Sequence, residues 1–133
     1  MLRRRFMALF AALACGPRAL ASSFGDNFVP VFFSGDTAEL DAEALNVLAQ
    51  VPARYAASRW SGGDRPIVIS GHVDGDELGR GFRKLALERA KAVADHLAQA
   101  GLSRALFRLE APLKPPMSTR GVEPRNRTAH VSW

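Results

Sequence analysis

IVISGHVDGDELGRGFRKLALER, residues 67–89, contains one change of hydrophobic period, and that change sets the fold class. Ile67, Val68 and Ile69 form a β-branched run ending at Ser70 and Gly71, whereas from Leu85 onward the apolar spacing is that of a helix. The segment reads as strand, loop, helix. The loop opens with His72, Val73 and Asp74, so a carboxylate stands just past the carboxyl end of a strand, where open α/β sheets gather their ligands. At about 100° per residue, Phe82, Ala86, Ala90, Val93 and Leu97 share one arc of the helix, and Lys84, Glu88, Lys91, Asp95 and Gln99 the opposite one. Arg89 belongs to neither group. It projects from the edge of the apolar stripe towards the start of the helix, a direction that brings its guanidinium near Asp74.

Working outward, residues 28–33 are an apolar strand, and Gly35 and Asp36 turn the chain. Asp41 is the expected N-cap of a helix over 40–58 with Leu45, Leu48, Pro52 and Tyr55 on one face. Pro52 removes a backbone donor and crowds the preceding turn, so it should kink or interrupt that helix. Ser61-Gly62-Gly63-Asp64 is a turn before the strand 66–71, and the second helix spans 80–100 with Gly101 at its C-terminal cap. Strands follow at 105–110 and 128–132, separated by a loop, Ala111 to Pro124, that carries four prolines. The expected architecture is α+β: a two-layer sandwich of a mixed four-stranded sheet and two main helices, in the order β-α-β-α-β-β. Its core should contain Leu45, Leu48, Ile67, Ile69, Val93 and Leu97.

The first residues read as an export leader. Arg3, Arg4 and Arg5 precede an apolar run from Phe6 to Cys15, Gly16 and Pro17 break it, and Ala19-Leu20-Ala21 offers the small-x-small site of a signal peptidase. Residues 1–21 are therefore expected to be a signal peptide cleaved after Ala21, residues 22–27 a loose entry, and residues 28–133 one domain. The apolar run is shorter than the roughly 20 residues a permanent span needs, so no transmembrane span is expected in the mature chain. The paired arginines also fit a twin-arginine signal, and Cys15 gives a lipid anchor as the alternative to a free periplasmic protein.

Charge and cysteine content exclude several classes. The full chain carries 18 basic against 13 acidic residues, but Arg3, Arg4, Arg5 and Arg18 lie in the leader, leaving 14 against 13. That balance, with scattered basic residues and no interleaved aromatic platform, gives no reason to expect nucleic acid as a partner. Cys15, the single cysteine, also lies in the leader, so the mature domain has neither disulfides nor thiolate metal ligands. His72, Asp74 and Asp76 alternate in a way that could suggest a metal-dependent hydrolase. The reading fails for want of further ligands: His96 and His130 have no metal-ligand spacing to another candidate, and no Ser or Cys nucleophile has a positioned base. No enzyme activity, cofactor or metal is expected.

GHVD at 71–74, followed after the loop by LALERAKAV at 85–93, resembles the core signature of the OmpA-like peptidoglycan-binding domain shared by OmpA C-terminal domains, Pal lipoproteins and MotB-type stator proteins. VFFSGDTAEL (31–40) is similar to that family's opening strand and helix entry, and RNRTAHVSW (125–133) to its closing motif. The sequence departs from the family pattern at Val73, Phe82, Ala86 and Thr128, where Thr, Asn, Ser and a second Arg are usual. The resemblance implies a non-catalytic periplasmic domain whose partner is peptidoglycan, bound at the diaminopimelate residue of the stem peptide. That side chain ends in an ammonium and a carboxylate on one carbon. Carried over position by position, Asp74 takes the ammonium and Arg89 the carboxylate, as a planar fork that lysine does not mimic. Asn126, Arg127 and Asp36 add polar contacts. The alternative is an OmpA-like scaffold in an envelope protein assembly that has lost peptidoglycan binding.

Overall fold

The computed structural model describes residues 27–58, 65–117 and 120–133. The leader with its cleavage site and Cys15, the entry residues before Asn27 and the turn at 61–64 lie outside the described residues. Strands β1 (Phe28–Phe32), β2 (Ile67–Gly71), β3 (Phe107–Glu110) and β4 (Thr128–Ser132) form one mixed sheet in the order β1-β4-β2-β3. β4 runs antiparallel to both neighbours, with Val131 opposite Val29 on one side and Ile69 on the other. β2 and β3 are parallel, with Ile67 opposite Phe107. A parallel pair needs a long crossover, and helix α4 (Arg83–Gln99) supplies it.

Alternation along the strands decides which face is covered. Val29, Val31, Ile67, Ile69 and Val131 are buried beneath the helices, while Phe28, Val68, Ser70 and His130 turn to the other face and remain half-buried. Pro30 stands in the middle of β1, an edge strand. The Phe33 N–H donates to the Arg127 carbonyl, so by alternation Val29 and Val31 also point their N–H groups at β4, and the Pro30 nitrogen faces the outer edge, where no donor is required.

The first helical segment is interrupted, as Pro52 requires. Helix α1 (Ala42–Leu48) is capped by Asp41, whose carboxylate accepts the Ala44 N–H at 2.8 Å. Helix α2 (Val51–Ala57) begins after Ala49 and Gln50 with Pro52 in its first turn, where a helix has no use for the missing donor. The buried stripe across both is Ala44, Leu48, Val51 and Tyr55. Leu45 departs from expectation: it lies 100° from Ala44 around the helix and is 38% exposed. The other five expected core residues, Leu48, Ile67, Ile69, Val93 and Leu97, have no exposed surface.

Helix α4 buries Ala90, Val93, Ala94 and Leu97 and ends with Gly101 at φ +104°. Phe82 also departs from expectation. It is the residue before the first turn rather than part of the apolar arc, is 39% exposed, and lies under the Arg80 guanidinium at 4.7 Å. A Cβ on Gly71 would fall 1.7 Å from the Ala86 carbonyl oxygen, so α4 rests directly on the end of β2 and only glycine permits that approach. The close approach places Arg89, one turn further on, against the loop that leaves β2. Between β2 and α4 the chain forms a short additional helix, α3 (Gly75–Gly79), which the strand-loop-helix reading does not contain.

Candidate functional site

Asp74 ends the extended run after β2 and caps α3. Its Oδ1 accepts the Glu77 N–H at 2.7 Å, and the Glu77 carboxylate accepts the Asp74 N–H at 3.1 Å, a reciprocal capping box. Its Oδ2 accepts the Glu123 N–H at 3.0 Å and the Arg127 Nε–H at 2.7 Å. Asp74 has no exposed surface. Burial pushes its carboxyl up, but the Glu77 and Glu123 N–H groups and the Arg127 guanidinium outweigh burial and hold it below the ordinary carboxylate value.

Arg89 is fully buried beside it, yet none of its donors reaches Asp74. Nη1 and Nη2 donate to the two oxygens of Glu77 at 2.8 and 2.7 Å, a bidentate pair in which neither side chain is exposed. The remaining N–H groups go to the carbonyls of Thr37, His72 and Gly35 at 2.9, 2.8 and 3.0 Å. All five donors of the guanidinium are thereby used. The expected Asp74–Arg89 pair is thus replaced by two pairs, Asp74–Arg127 and Glu77–Arg89. The cause is Glu77, which α3 turns inward between them.

The solvent side of the cluster is built from Asp36, Asp76, Arg80 and Arg127. Arg80 donates to both oxygens of Asp36 at 2.8 and 2.6 Å and to Asp76 at 2.9 Å. The Arg80 hydrogen bond is the main reason that the Asp36 carboxyl is held below its ordinary value. Among the described residues Arg127 is hydrogen-bonded only through Nε. Its Nη1 lies 3.4 Å from Asp36 and its Nη2 3.7 Å from Asp76, ion-pair approaches without a hydrogen bond. Its side chain is 11% exposed. Burial disfavours its charge, and Asp74 with the carboxylates around it more than compensates, raising the guanidinium above its ordinary value.

Asn126 is buried and holds the preceding loop: its side chain accepts the Met117 N–H and donates to the Met117 carbonyl, both at 3.0 Å. Thr128, where a second arginine was the family expectation, donates its hydroxyl to the Val31 carbonyl at 2.7 Å and is a sheet residue. His72, Asp74 and Asp76 do not converge. The His72 ring packs 4.7 Å from His130 with neither ring nitrogen hydrogen-bonded, Asp74 faces Arg127 and Asp76 faces Arg80. Burial, helped by His130, lowers the His72 imidazole to about 4. Among the described residues no three His, Cys, Asp or Glu side chains are grouped to hold a metal ion, and no helix is long and apolar enough to cross a membrane.

The structure gathers the expected residues Asp36, Asp74, Arg89 and Arg127 in one cluster and adds Glu77, Asp76 and Arg80, which the sequence reading does not place there, whereas Asn126, expected to add a polar contact to the ligand, holds the loop at Met117 instead. A signal for Glu77 was present. Asp74-Gly75-Asp76-Glu77 has the D-x-x-E spacing of a capping box, which announces a helix start and an inward-facing Glu77.

No family model and no curated protein sequence matches the chain. Solved structures do. The OmpA-like domain of FopA1 from Francisella tularensis is 23% identical with a TM-score of 0.63, over 80% of this chain and 70% of that one. The fold is OmpA-like. The peptidoglycan-associated lipoprotein of Burkholderia pseudomallei is 22% identical with a TM-score of 0.64, over 78% of this chain and 88% of that one. The C-terminal domain of Helicobacter pylori MotB is 17% identical with a TM-score of 0.63, over 77% and 82%. On this OmpA-like fold, the cluster of three arginines and four carboxylates sits where β2 passes into α3 and α4, beside the turn that enters β4.

Proposed function

We propose that the chain is a non-catalytic periplasmic peptidoglycan-binding domain that recognises the diaminopimelate end of the stem peptide through the cluster around Asp74 and Arg127. The observation that carries this reading is the pairing of Arg127, whose two terminal nitrogens are without a hydrogen bond among the described residues, with the partly exposed carboxylates of Asp36 and Asp76. A carbon bearing an ammonium and a carboxylate needs such a cation and anion side by side, already held in place so that little side-chain entropy is lost on binding. Asp74 fixes the Arg127 fork through Nε and leaves its outer edge for a ligand carboxylate. Asp36 and Asp76 face the ammonium. Arg89 and Asn126 support the site from beneath, one tying two backbone segments to α4 and the other holding the loop at Met117. The leader reading supplies the compartment, and the name of the Burkholderia relative, a peptidoglycan-associated lipoprotein, agrees with the partner.

Co-sedimentation with purified diaminopimelate-type sacculi tests the reading. The wild type should be retained, and Arg127→Ala and Asp36→Asn should each reduce retention by about tenfold or more while staying folded, since losing one partner of a desolvated charge contact costs about 2–5 kcal/mol. One observation favours a second reading: every donor of Arg89 and both oxygens of Asp74 are satisfied internally. If the wild type is not retained, the domain is an OmpA-like scaffold in an envelope assembly. Intact mass of the exported protein separates the two attachments: a chain starting at Ser22 is free in the periplasm, and a diacylglyceryl adduct on Cys15 is anchored.

A further inference from the structure

We infer that Glu77 is a tethered carboxylate seated in a carboxylate-binding subsite, so that a ligand carboxylate reaches the Arg89 fork only by exchanging with it. This rests on the reading of the cluster as the ligand site, and it names the residue that sets which ligands the buried half of that site accepts.

The geometry separates what holds Arg89 from what occupies it. Three of its N–H groups are fixed by the carbonyls of Gly35, Thr37 and His72, from two segments that do not include α3. Those bonds orient the guanidinium whether or not Glu77 is present. The other two N–H groups point together at the Glu77 carboxylate, the side-on approach that a free carboxylate would use. Deleting the Glu77 side chain would therefore leave a preoriented fork facing an empty space of carboxylate size. The carrier of Glu77 is slight. α3 is a single short helix, it ends at Gly79, and Gly81 follows at φ +85°; a Cβ on either glycine would meet nothing within 4 Å. Its inward turn is held by the capping box with Asp74 and by an Asp76 N–H bond to the Gly121 carbonyl at 3.1 Å.

Exchange preserves charge: one carboxylate leaves the fork as another enters, and Arg89 is never buried unpaired. The cost is competition. A tethered group acts at an effective concentration on the order of millimolar or higher, so a free carboxylate binds the occupied fork weakly. The domain should thus take the zwitterion mainly at Arg127, and removing Glu77 should convert the buried fork into a receptor for small carboxylates.

Thermal unfolding of wild type, Glu77→Ala and Glu77→Gln in sodium acetate, against acetamide with ionic strength matched, tests this. Glu77→Ala should unfold at lower temperature and regain stability saturably with acetate and not with acetamide. Wild type should not respond, and Glu77→Gln, whose amide still fills the space, should be destabilised without an acetate response. If Glu77→Ala is unfolded on its own, acetate should restore its far-ultraviolet circular dichroism. An acetate response in Glu77→Ala no larger than that of the wild type, or no recovery from the unfolded state, overturns the inference. So does an equal response in Glu77→Gln. In addition, meso-diaminopimelate should bind Glu77→Ala at least tenfold more tightly than wild type; equal affinity overturns it. Sacculus retention of the wild type is scored separately: an acetate-responsive Glu77→Ala with no wild-type retention keeps the carboxylate subsite and removes the peptidoglycan reading, and the converse result does the opposite.

Discussion

Arg89 and Arg127 stand in one cluster and face the same kind of group, yet their environments assign them different work. Arg89 has no exposed surface and spends every donor inside the protein, whereas among the described residues Arg127 is hydrogen-bonded through Nε alone and its side chain is 11% exposed. A guanidinium that is saturated and dry is part of the architecture. One that is hydrogen-bonded at Nε, with its two terminal nitrogens lacking a hydrogen bond among the described residues, is the one we propose for a ligand. The difference arises from a single intervening side chain, Glu77, which pairs with Arg89 and leaves Asp74 to Arg127.

That contrast can be broken most decisively at the inner pair. Arg89→Ala leaves Glu77 buried without its counter-ion and should destabilise the domain by about 3–5 kcal/mol in urea unfolding. Arg89→Lys should cost nearly as much, because an ammonium has neither the fork nor five donors. A loss below about 1 kcal/mol would show that the pair does not hold the loop. The combined replacement Arg89→Met with Glu77→Leu should cost less than Arg89→Ala, since it removes both charges and refills the volume.

Next in size is Asp74→Asn, which keeps the shape of the cap but gives up the charge that holds Arg127. It should cost about 1–3 kcal/mol and loosen Arg127, weakening retention on sacculi more than its effect on folding explains. If stability falls and the folded fraction binds as before, Asp74 belongs with Arg89 on the architectural side.

His72 offers a buried group whose ring nitrogens have no hydrogen-bond partner among the described residues, a third condition against which the two arginines can be compared. Its folded value is lowered to about 4, so it is neutral in the fold, while the unfolded chain takes up a proton near the ordinary 6.5. The His72 contribution should be complete above that value, be lost as the pH drops from 6.5 towards 4, and change no further below, a loss on the order of 3 kcal/mol. His72→Phe should flatten most of that limb, leaving the smaller contribution of His130, which burial lowers in the same direction. An unchanged pH profile in His72→Phe would mean that the imidazole is solvated. Smallest of all should be Arg80→Ala: its pairs with Asp36 and Asp76 are solvent-exposed, so the unfolding midpoint should stay within error, and any change should shrink with added salt.

The fold was largely legible because its signals are local. Short apolar runs between turn signals give all four strands, and β4 has the expected bounds, 128–132. Asp41 and Gly101 mark helix ends, and Pro52 marks the break between α1 and α2. What failed had identifiable physical causes. Leu45 is expected in the core as a large apolar side chain, whereas the buried arc is centred on Ala44, Leu48, Val51 and Tyr55. Phe82 was given a helical phase although the helix begins after it. At the site, residue types were readable and partners were not. Which carboxylate meets Arg89 depends on which way α3 turns, and Asp74 and Glu77, three residues apart, compete for that place.

Pro30 has a consequence for crowded surroundings. A sheet edge is a template on which a neighbour's strand can dock, and repeated docking leads to fibres or swapped dimers. On β1 the outward row of donors is broken at its midpoint by a residue that has no hydrogen to give. Phe32, beside it, is half exposed and would otherwise make that border adhesive. Replacing Pro30 with valine would complete the row without disturbing the pairing to β4, and the expected result is a chain that folds as before but loses solubility at high concentration.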